Sequence, residues 1–269
     1  GFVNVRDEVA YEYKSGEMKE IPLFEEEKTA IEDIRESMME IVAESDEELL
    51  EKYFSGEAFT TEEIAQGIRT AVANGELVPV FIGSAEKSIG IDYLLRVIRR
   101  YIPSPTDIGS IKAIKEDKEI ELKLDKNEPF SAIVFKTIVD PFVGKLSLFK
   151  VLSGKLTKDM DLYNSNKDKE EKLGGLFLLR GKNQIEVNEI VAGDIGATSK
   201  LQYTQTGDTI CDKNNIVKFN RISYPQPTLF LAVEPKSKGD EEKIGSSLQK
   251  LTEEDPTFTL ERNSETNQL

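Results

Sequence analysis

The sequence contains no histidine and only one cysteine, Cys211. Histidine is the commonest general base and the commonest metal ligand, so its absence excludes catalytic triads and zinc sites built on imidazole. A single cysteine cannot form a disulfide within the chain, which is typical of a protein kept in a reducing compartment. We therefore expect a cytoplasmic location and no metal site.

Long apolar runs and an export leader are also missing. No apolar stretch approaches the roughly 18 residues of a membrane span, and no basic and apolar leader is present. We expect no membrane partner and a monomer. Hydrophobic residues make up 38% of the 269 positions, which is enough for packed cores in two domains or one large domain. Because the chain starts at Gly1 and its last element looks unfinished at Leu269, we expect a piece of a larger protein.

Positive charge is scarce at the front of the chain. Residues 1–75 hold 20 acidic and 7 basic residues, whereas the other 194 positions hold 30 and 28. An acidic surface repels phosphate, so a basic or amphipathic protein partner fits this part better than a nucleic acid. The acidic residues could equally be no more than solvated helix faces.

The front of the chain combines short strands with acidic helices. Alternating apolar residues at 2–13 predict a β-hairpin. Between 25 and 75 the apolar period changes to three and four residues, which predicts three amphipathic helices. Asp46 is placed to cap the second helix, and Thr60 with Glu63 forms a capping-box pattern ahead of the third.

The run LVPVFI at 77–82 predicts a buried strand, and it leads directly into the turn Gly83-Ser84-Ala85. A helix then follows and ends at the prolines after residue 102. Its predicted buried residues are Ile91, Leu94, Leu95, Ile98 and Tyr101. Strand, short polar turn and helix is the geometry of an α/β layer, where ligands bind at the carboxyl ends of strands.

The stretch 127–156 predicts two antiparallel core strands joined by a loop at 140–144. In the first strand Phe130, Ala132, Val134 and Lys136 share one face. Gly-Asp turns recur about every ten residues further on, which is typical of a closed antiparallel barrel. The charged residues 108–127 predict a linker or a peripheral hairpin.

Beyond Pro225 and Pro227 the pattern changes again. It predicts a strand at 229–233, a helix that starts after Asp240, and a second strand at 258–260. A strand, helix, strand unit with so few strands is typical of the first half of a ferredoxin-like domain.

Several of these motifs together resemble the elongation factor G family of translational GTPases. They are the Asp-Pro-Phe-Val-Gly loop at 140–144, the Ser-Gly-Lys-Leu turn at 153–156, TGDTIC at 206–211 and the long segment 227–268. The resemblance extends over essentially the whole chain. Gly175 departs from the family pattern, which leaves the paralogue open.

The resemblance implies a multidomain fold of α/β and β-barrel parts. Residues 1–105 would be the C-terminal part of a P-loop GTPase domain that includes an acidic helical insertion. Residues 106–226 would form an antiparallel β-barrel like domain 2 of elongation factor Tu. Residues 227–269 would be the truncated start of a third, ferredoxin-like α+β domain.

By the same resemblance, Gly83, Ser84 and Ala85 form a turn that contacts the guanine base, as part of a larger site. Small residues let the backbone approach the ring, and backbone amides can read a base carbonyl. Without this context, an ordinary strand-to-helix turn would explain the same three residues.

The implied parent protein binds the ribosome, uses GTP with Mg²⁺, and promotes movement of tRNA and mRNA during protein synthesis. This chain carries no G-x-x-x-x-G-K-[ST] loop, no Asp-x-x-Gly motif and no Asn-Lys-x-Asp motif. We therefore expect the chain itself to hold no cofactor, to have no catalytic residue and not to hydrolyse GTP.

The implied ribosomal partners are the stalk protein, through the acidic helices, and small-subunit RNA, through the barrel. The candidate phosphate contacts in the barrel are Lys136, Lys145, Lys150 and Lys155, which could equally be solvated lysines. Two other interpretations stay open. One is a stand-alone, non-enzymatic adaptor that binds ribosomal protein or RNA, and the other is a ribosomal-protection or recycling paralogue.

Overall fold

The computed structural model describes residues 1–14, 16–140, 144–235 and 240–263. The chain divides into two compact units, Gly1–Ser104 and Pro105–Leu269, and each is described by itself.

The first unit begins with a three-stranded antiparallel sheet in the order β1-β2-β3. Its strands are β1 Phe2–Asn4, β2 Val9–Lys14 and β3 Glu17–Ile21. The hairpin predicted at 2–13 is confirmed, and β3 adds a third strand to it.

Four helices complete this unit, and all four were predicted. They are α1 Glu25–Glu44, α2 Glu47–Ser55, α3 Thr61–Asn74 and α4 Ile91–Tyr101. The predicted caps are present, because the Glu48 amide donates to Asp46 and the Glu63 amide donates to Thr60. The helices share a core that contains Val42, Leu49, Ile68, Val97 and Tyr101.

The strand predicted at 77–82 is wrong. This segment is extended but pairs with no strand among the described residues, and Val78, Val80 and Ile82 are 78%, 82% and 80% exposed. A strand exists only through backbone hydrogen bonds to a neighbour, and an apolar run does not supply one.

The predicted buried face of α4 needs a correction as well. Tyr101 is buried, as expected, but Val97 is its main companion in the core, whereas Leu95 and Ile98 are 62% and 46% exposed. The helix is apolar on two sides, so its periodicity did not identify the side that packs against α3.

The second unit starts with the short helix α5 Pro105–Ile108 and a hairpin of β4 Ser110–Lys115 and β5 Lys118–Lys123. This confirms the alternative of a peripheral hairpin. Apolar residues of the hairpin pack in a small core with Cys211, Val217 and Phe219.

Ten further strands form the body of this unit. They are β6 Ser131–Asp140, β7 Gly144–Ser153, β8 Lys155–Thr157, β9 Asp161–Asn164, β10 Lys169–Lys172, β11 Leu176–Arg180, β12 Asn183–Glu186, β13 Glu189–Val191, β14 Ile195–Ser199 and β15 Thr209–Asp212. Eight of them make one antiparallel sheet in the order β10-β9-β15-β6-β7-β14-β11-β12, and β8 pairs with β13.

The large sheet curls around a single core. Leu162 from one end of the sheet and Leu176 from the other lie in the same buried cluster, together with Phe130, Phe149 and Ile210. The predicted barrel-like enclosure is therefore present. Closure by strand pairing is not, because within the described ranges no pairing joins the two edge strands, β10 and β12.

The alternation predicted for β6 holds only in its first half. Ala132 and Val134 are fully buried, but a bulge between Val134 and Lys136 turns the lysine outwards, which corrects its placement on the core face. The loop predicted after β6 includes Pro141, which lies outside the described residues.

Of the ferredoxin-like elements predicted beyond residue 226, only the helix is formed, as α6 Glu241–Glu254. The segments 229–233 and 258–260 form no strand, and Leu229, Phe230 and Leu231 are about three-quarters exposed at 74%, 74% and 76%. Helices satisfy their own backbone groups whereas strands need partners, so only the helix forms here. The part of the predicted resemblance at 264–268 lies outside the described residues.

Candidate functional site

The predicted base-contacting turn forms a compact loop at the start of α4. The amide of Ser84 donates to the Ile89 carbonyl and the amide of Ile89 donates back to Ser84, both at 2.9 Å. Gly90 then precedes α4 with a φ of +80° and lies close to Gly83, since a Cβ on Gly90 would be 3.5 Å from the Gly83 Cα. The loop therefore brings Gly83, Ser84 and Ala85 to the N-terminus of a helix.

The turn exposes backbone atoms to solvent. Gly83 and Ala85 are exposed, and the Ala85 amide donates to no acceptor in the described part of the chain. A Cβ on Gly83 would be 2.8 Å from the Ile89 carbonyl oxygen, so a side chain there would disrupt the loop. The exposed Ala85 amide at the start of α4 is therefore available as a hydrogen-bond donor.

The acidic helices form a shallow polar depression of about 650 Å³ between α2 and α3. The Lys52 ammonium donates to Glu63 at 2.8 Å inside it. Together with the Thr60 amide, this hydrogen bond lowers the pKa of Glu63 to about 2. The depression is thus lined by a fixed ion pair and by further carboxylates such as Glu48 and Glu51.

A second, mainly apolar groove of about 760 Å³ lies in the same unit. It is bounded by β1, by α1 and by the unpaired segment 77–82, and Tyr93 and Tyr101 line it from α4. Burial raises the pKa of Tyr93 to about 12.

The four barrel lysines predicted as phosphate contacts differ in the interactions that they make. Lys155 is paired with Glu189 at 3.2 Å, and Lys145 donates to the Thr204 carbonyl. Lys136 and Lys150 make no ion pair within the described ranges.

A buried polar network, which sequence reasoning missed, holds the loop between β14 and β15. Glu171 and Asp208 are 3% and 2% exposed, and Asn164 is fully buried. Asn164 donates to Asp208 at 3.0 Å, and Glu171 accepts the amides of three consecutive residues, 202–204. The sequence around Glu171, in the four-residue strand β10, does not reveal this role because the partners of Glu171 lie about 30 positions away.

The described residues contain neither a membrane-spanning helix nor a metal-binding cluster of side chains. No helix is both long and apolar enough to cross a membrane. No group of three or more acidic or cysteine side chains is arranged to hold a metal ion.

Comparisons with known proteins agree with this architecture. Residues 129–213 match the family model described as elongation factor G domain 2, and residues 224–269 match the model described as elongation factor G, domain III. A crystal structure of a protein from Thermus thermophilus is similar to 99% of this chain, with 32% sequence identity and a TM-score of 0.81. The match spans 38% of that protein.

Proposed function

The chain belongs to the elongation factor G family, and from this premise we propose that it is part of a ribosome-binding translation factor. Its parent would promote the GTP-dependent movement of tRNA and mRNA during protein synthesis in the cytoplasm. The observation that carries the proposal is the combined match: two models of one family fit in sequence order, and one similar structure extends over 99% of the chain.

The unit Gly1–Ser104 is proposed as the C-terminal part of a P-loop GTPase domain. Its segment 77–82 is extended, apolar and unpaired, and the outer side of α4 exposes Leu95 and Ile98. Such surfaces suit a strand and a helix that would pack into a larger α/β sheet. The turn at Gly83, Ser84 and Ala85 would then lie at the carboxyl end of a strand, where α/β domains bind ligands.

Within such a domain this turn would contribute base recognition only. The exposed Ala85 amide supports a contact with a guanine carbonyl. Phosphate binding and Mg²⁺ binding would have to come from other residues, since this sequence has no phosphate loop. The chain by itself is therefore proposed to be inactive as a GTPase.

The proposed partners on the ribosome follow from charge and surface. The acidic helices α1 to α3 suit a basic or amphipathic protein such as a stalk protein, because their negative charge would attract its positive charges. The barrel-like unit is the proposed contact for small-subunit RNA. It is nearly balanced in charge, so binding would depend on shape and on a local cluster of cations.

GTP binding provides the direct test. We expect no detectable binding of a fluorescent GTP analogue to the 269-residue chain, and micromolar binding to the full-length product of the same gene. Tight binding by the short chain would contradict the proposed division of the site.

Cosedimentation with ribosomes tests the partner. The longer gene product should bind ribosomes in the presence of a non-hydrolysable GTP analogue. If that product has no phosphate loop and does not bind ribosomes, the stand-alone adaptor is the better interpretation. If it binds ribosomes without supporting tRNA movement, a ribosomal-protection or recycling paralogue fits instead.

A further inference from the structure

The loop between β14 and β15, residues 200–208, presents a tyrosine to solvent. Leu201 and Thr204 are buried and anchor the loop, whereas Gln202, Tyr203 and Gln205 point outwards. Tyr203 is 48% exposed, so one face of a large aromatic ring is accessible to a partner.

Hydrogen bonds to buried carboxylates hold the backbone around Tyr203 in place. The buried carboxylate of Glu171 accepts the amides of Gln202, Tyr203 and Thr204 at 2.7 to 2.9 Å, and the Thr204 hydroxyl at 2.8 Å. Asp208 accepts the Gln205 amide at 3.0 Å. Three amides held by one charged group order the loop before any partner arrives, so the ring is presented at low entropic cost.

Three lysines from β7, β10 and the turn between β9 and β10 converge on the same loop. Lys145 donates to the Thr204 carbonyl at 2.6 Å, and Lys167 donates to the Gln205 side chain at 3.1 Å. The Lys169 ammonium lies 6.0 Å from the centre of the Tyr203 ring. In the described part of the chain none of the three forms an ion pair, unlike Lys155 and Lys158, which pair with glutamates.

Nearby acids do not cancel this positive surface. Glu171 and Asp208 are buried, and their charges are taken up by the loop and by Arg221, which donates to Asp208. Asp168 accepts the hydroxyl of Tyr163 but keeps its negative charge, so it offsets one of the three lysines. Glu170 neighbours Lys169 on β10 and therefore projects to the opposite face of the strand.

We propose that Tyr203, with Lys145, Lys167 and Lys169, binds an unpaired nucleotide of RNA. The ring would stack on the base, the ammonium groups would contact the flanking phosphates, and the outward amides of Gln202 and Gln205 can hydrogen-bond to base edges. The inference rests on the proposed function and deepens it. It places the RNA contact of the barrel at one preorganised loop, which shares only Lys145 with the four lysines predicted from the sequence.

The partner is a single-stranded or bulged nucleotide rather than a regular duplex, for a geometric reason. A base inside an A-form helix is stacked on both faces and cannot reach an exposed tyrosine. The lysines alone would accept any phosphate backbone, so the ring is the element that selects unpaired RNA.

The test uses the 269-residue chain and a fluorescently labelled single-stranded adenine-rich RNA of about a dozen nucleotides, compared with the same strand in a duplex. Tyr203→Ala should weaken binding of the single strand by about 5- to 100-fold, the range seen when a stacked base loses its ring. Tyr203→Phe keeps the ring and should bind like the unchanged chain.

Salt dependence tests the lysines. The double variant Lys167→Ala/Lys169→Ala should reduce the slope of log affinity against log salt by about 1.4, because each single-strand phosphate contact contributes about 0.7. The matched control is Lys155→Ala/Lys158→Ala, which removes the same charge from residues already paired with Glu189 and Glu186 and should leave the slope unchanged.

Three results would overturn the inference: equal binding by Tyr203→Ala, preference for the duplex, or an equal loss in the control variant. Circular dichroism of each variant verifies that the fold is kept. Cosedimentation with small ribosomal subunits separates this inference from the proposed function. If the longer gene product binds subunits equally well with and without Tyr203, only the inference fails; if no product of the gene binds them, the proposed function fails.

Discussion

At the residue scale, Gly154 occupies a position that only a residue without a side chain can fill. It lies in the turn between β7 and β8 with a φ of +69°, which L residues rarely adopt. A Cβ there would be 2.6 Å from the Phe130 nitrogen and would also strike the Glu128 carbonyl oxygen. The turn can therefore form only with glycine at this position, because its backbone lies directly against the segment 128–130.

We predict that Gly154→Ala destabilises the second unit by more than about 2 kcal/mol, since left-handed strain alone costs about 1–2 kcal/mol and the clash adds to it. Chemical denaturation followed by circular dichroism measures the loss. The control is Gly181→Ala, where φ is +59° but no atom lies within 4 Å of the new Cβ. An equal loss in both variants would mean that the clash is relieved at no cost.

Glu63 gives a pH prediction at the same scale. Its pKa is lowered from an ordinary value of 4.5 to about 2, first by the hydrogen bond from Lys52 and then by the Thr60 amide. A depressed pKa stabilises the fold above pH 4.5, and this contribution disappears as pH falls towards 2.

We therefore expect the unchanged chain to melt at a higher temperature than Glu63→Gln at pH 7, with the difference shrinking below about pH 4.5. Thermal melting followed by far-ultraviolet circular dichroism over a pH series measures it. Lys52→Met should produce a similar loss at pH 7, and the double variant should add little, because both single changes break one ion pair. A difference that stays constant down to about pH 3 would contradict the role of the charge.

At the element scale, the segment 77–82 behaves as an unpaired strand. No neighbouring strand covers its apolar side chains, and the amides of Val78 and of residues 80–82 donate to no carbonyl in the described part of the chain. The neighbouring helix α3 has the opposite character, because its backbone bonds are internal and its core residues Ile68 and Ala71 are buried.

We predict that the amides of Val78 and of residues 80–82 exchange hydrogen for deuterium within seconds in this chain, whereas the second half of α3 is protected. In the full-length product of the same gene, the same amides should become protected, since the proposed GTPase domain would pair them. Mass spectrometry of the overlapping peptides measures both states. Fast exchange in both products would argue against a strand at this position.

At the scale of the whole molecule, charge separates the two units. Gly1–Ser104 holds 23 acidic and 11 basic residues, a net of −12, whereas Pro105–Leu269 holds 27 and 24, a net of −3. Such a division is compatible with the two different partners proposed above, a basic protein for the first unit and RNA for the second. The positive character of the second unit is local, since it depends on lysines around Tyr203 that form no ion pair in the described part of the chain.

The sequence by itself determined the features whose causes are local. The caps at Asp46 and Thr60, the acidic helices, and the Gly-Asp turns of the second unit follow from interactions between residues a few positions apart, so their pattern can be read along the chain. The family resemblance was visible for the same reason, in short contiguous motifs such as 206–211.

Only the tertiary structure decided the features that join distant residues. It showed that the segments 77–82 and 229–233 pair with no strand in the described ranges, that a bulge turns Lys136 outwards, and that Glu171 holds a loop about 30 positions away. Backbone pairing and side-chain convergence depend on which segments meet in space. A sequence shows which apolar side chains a segment can bury and which hydrogen bonds it can donate. The tertiary structure determines which other segment provides the contact or accepts the bond.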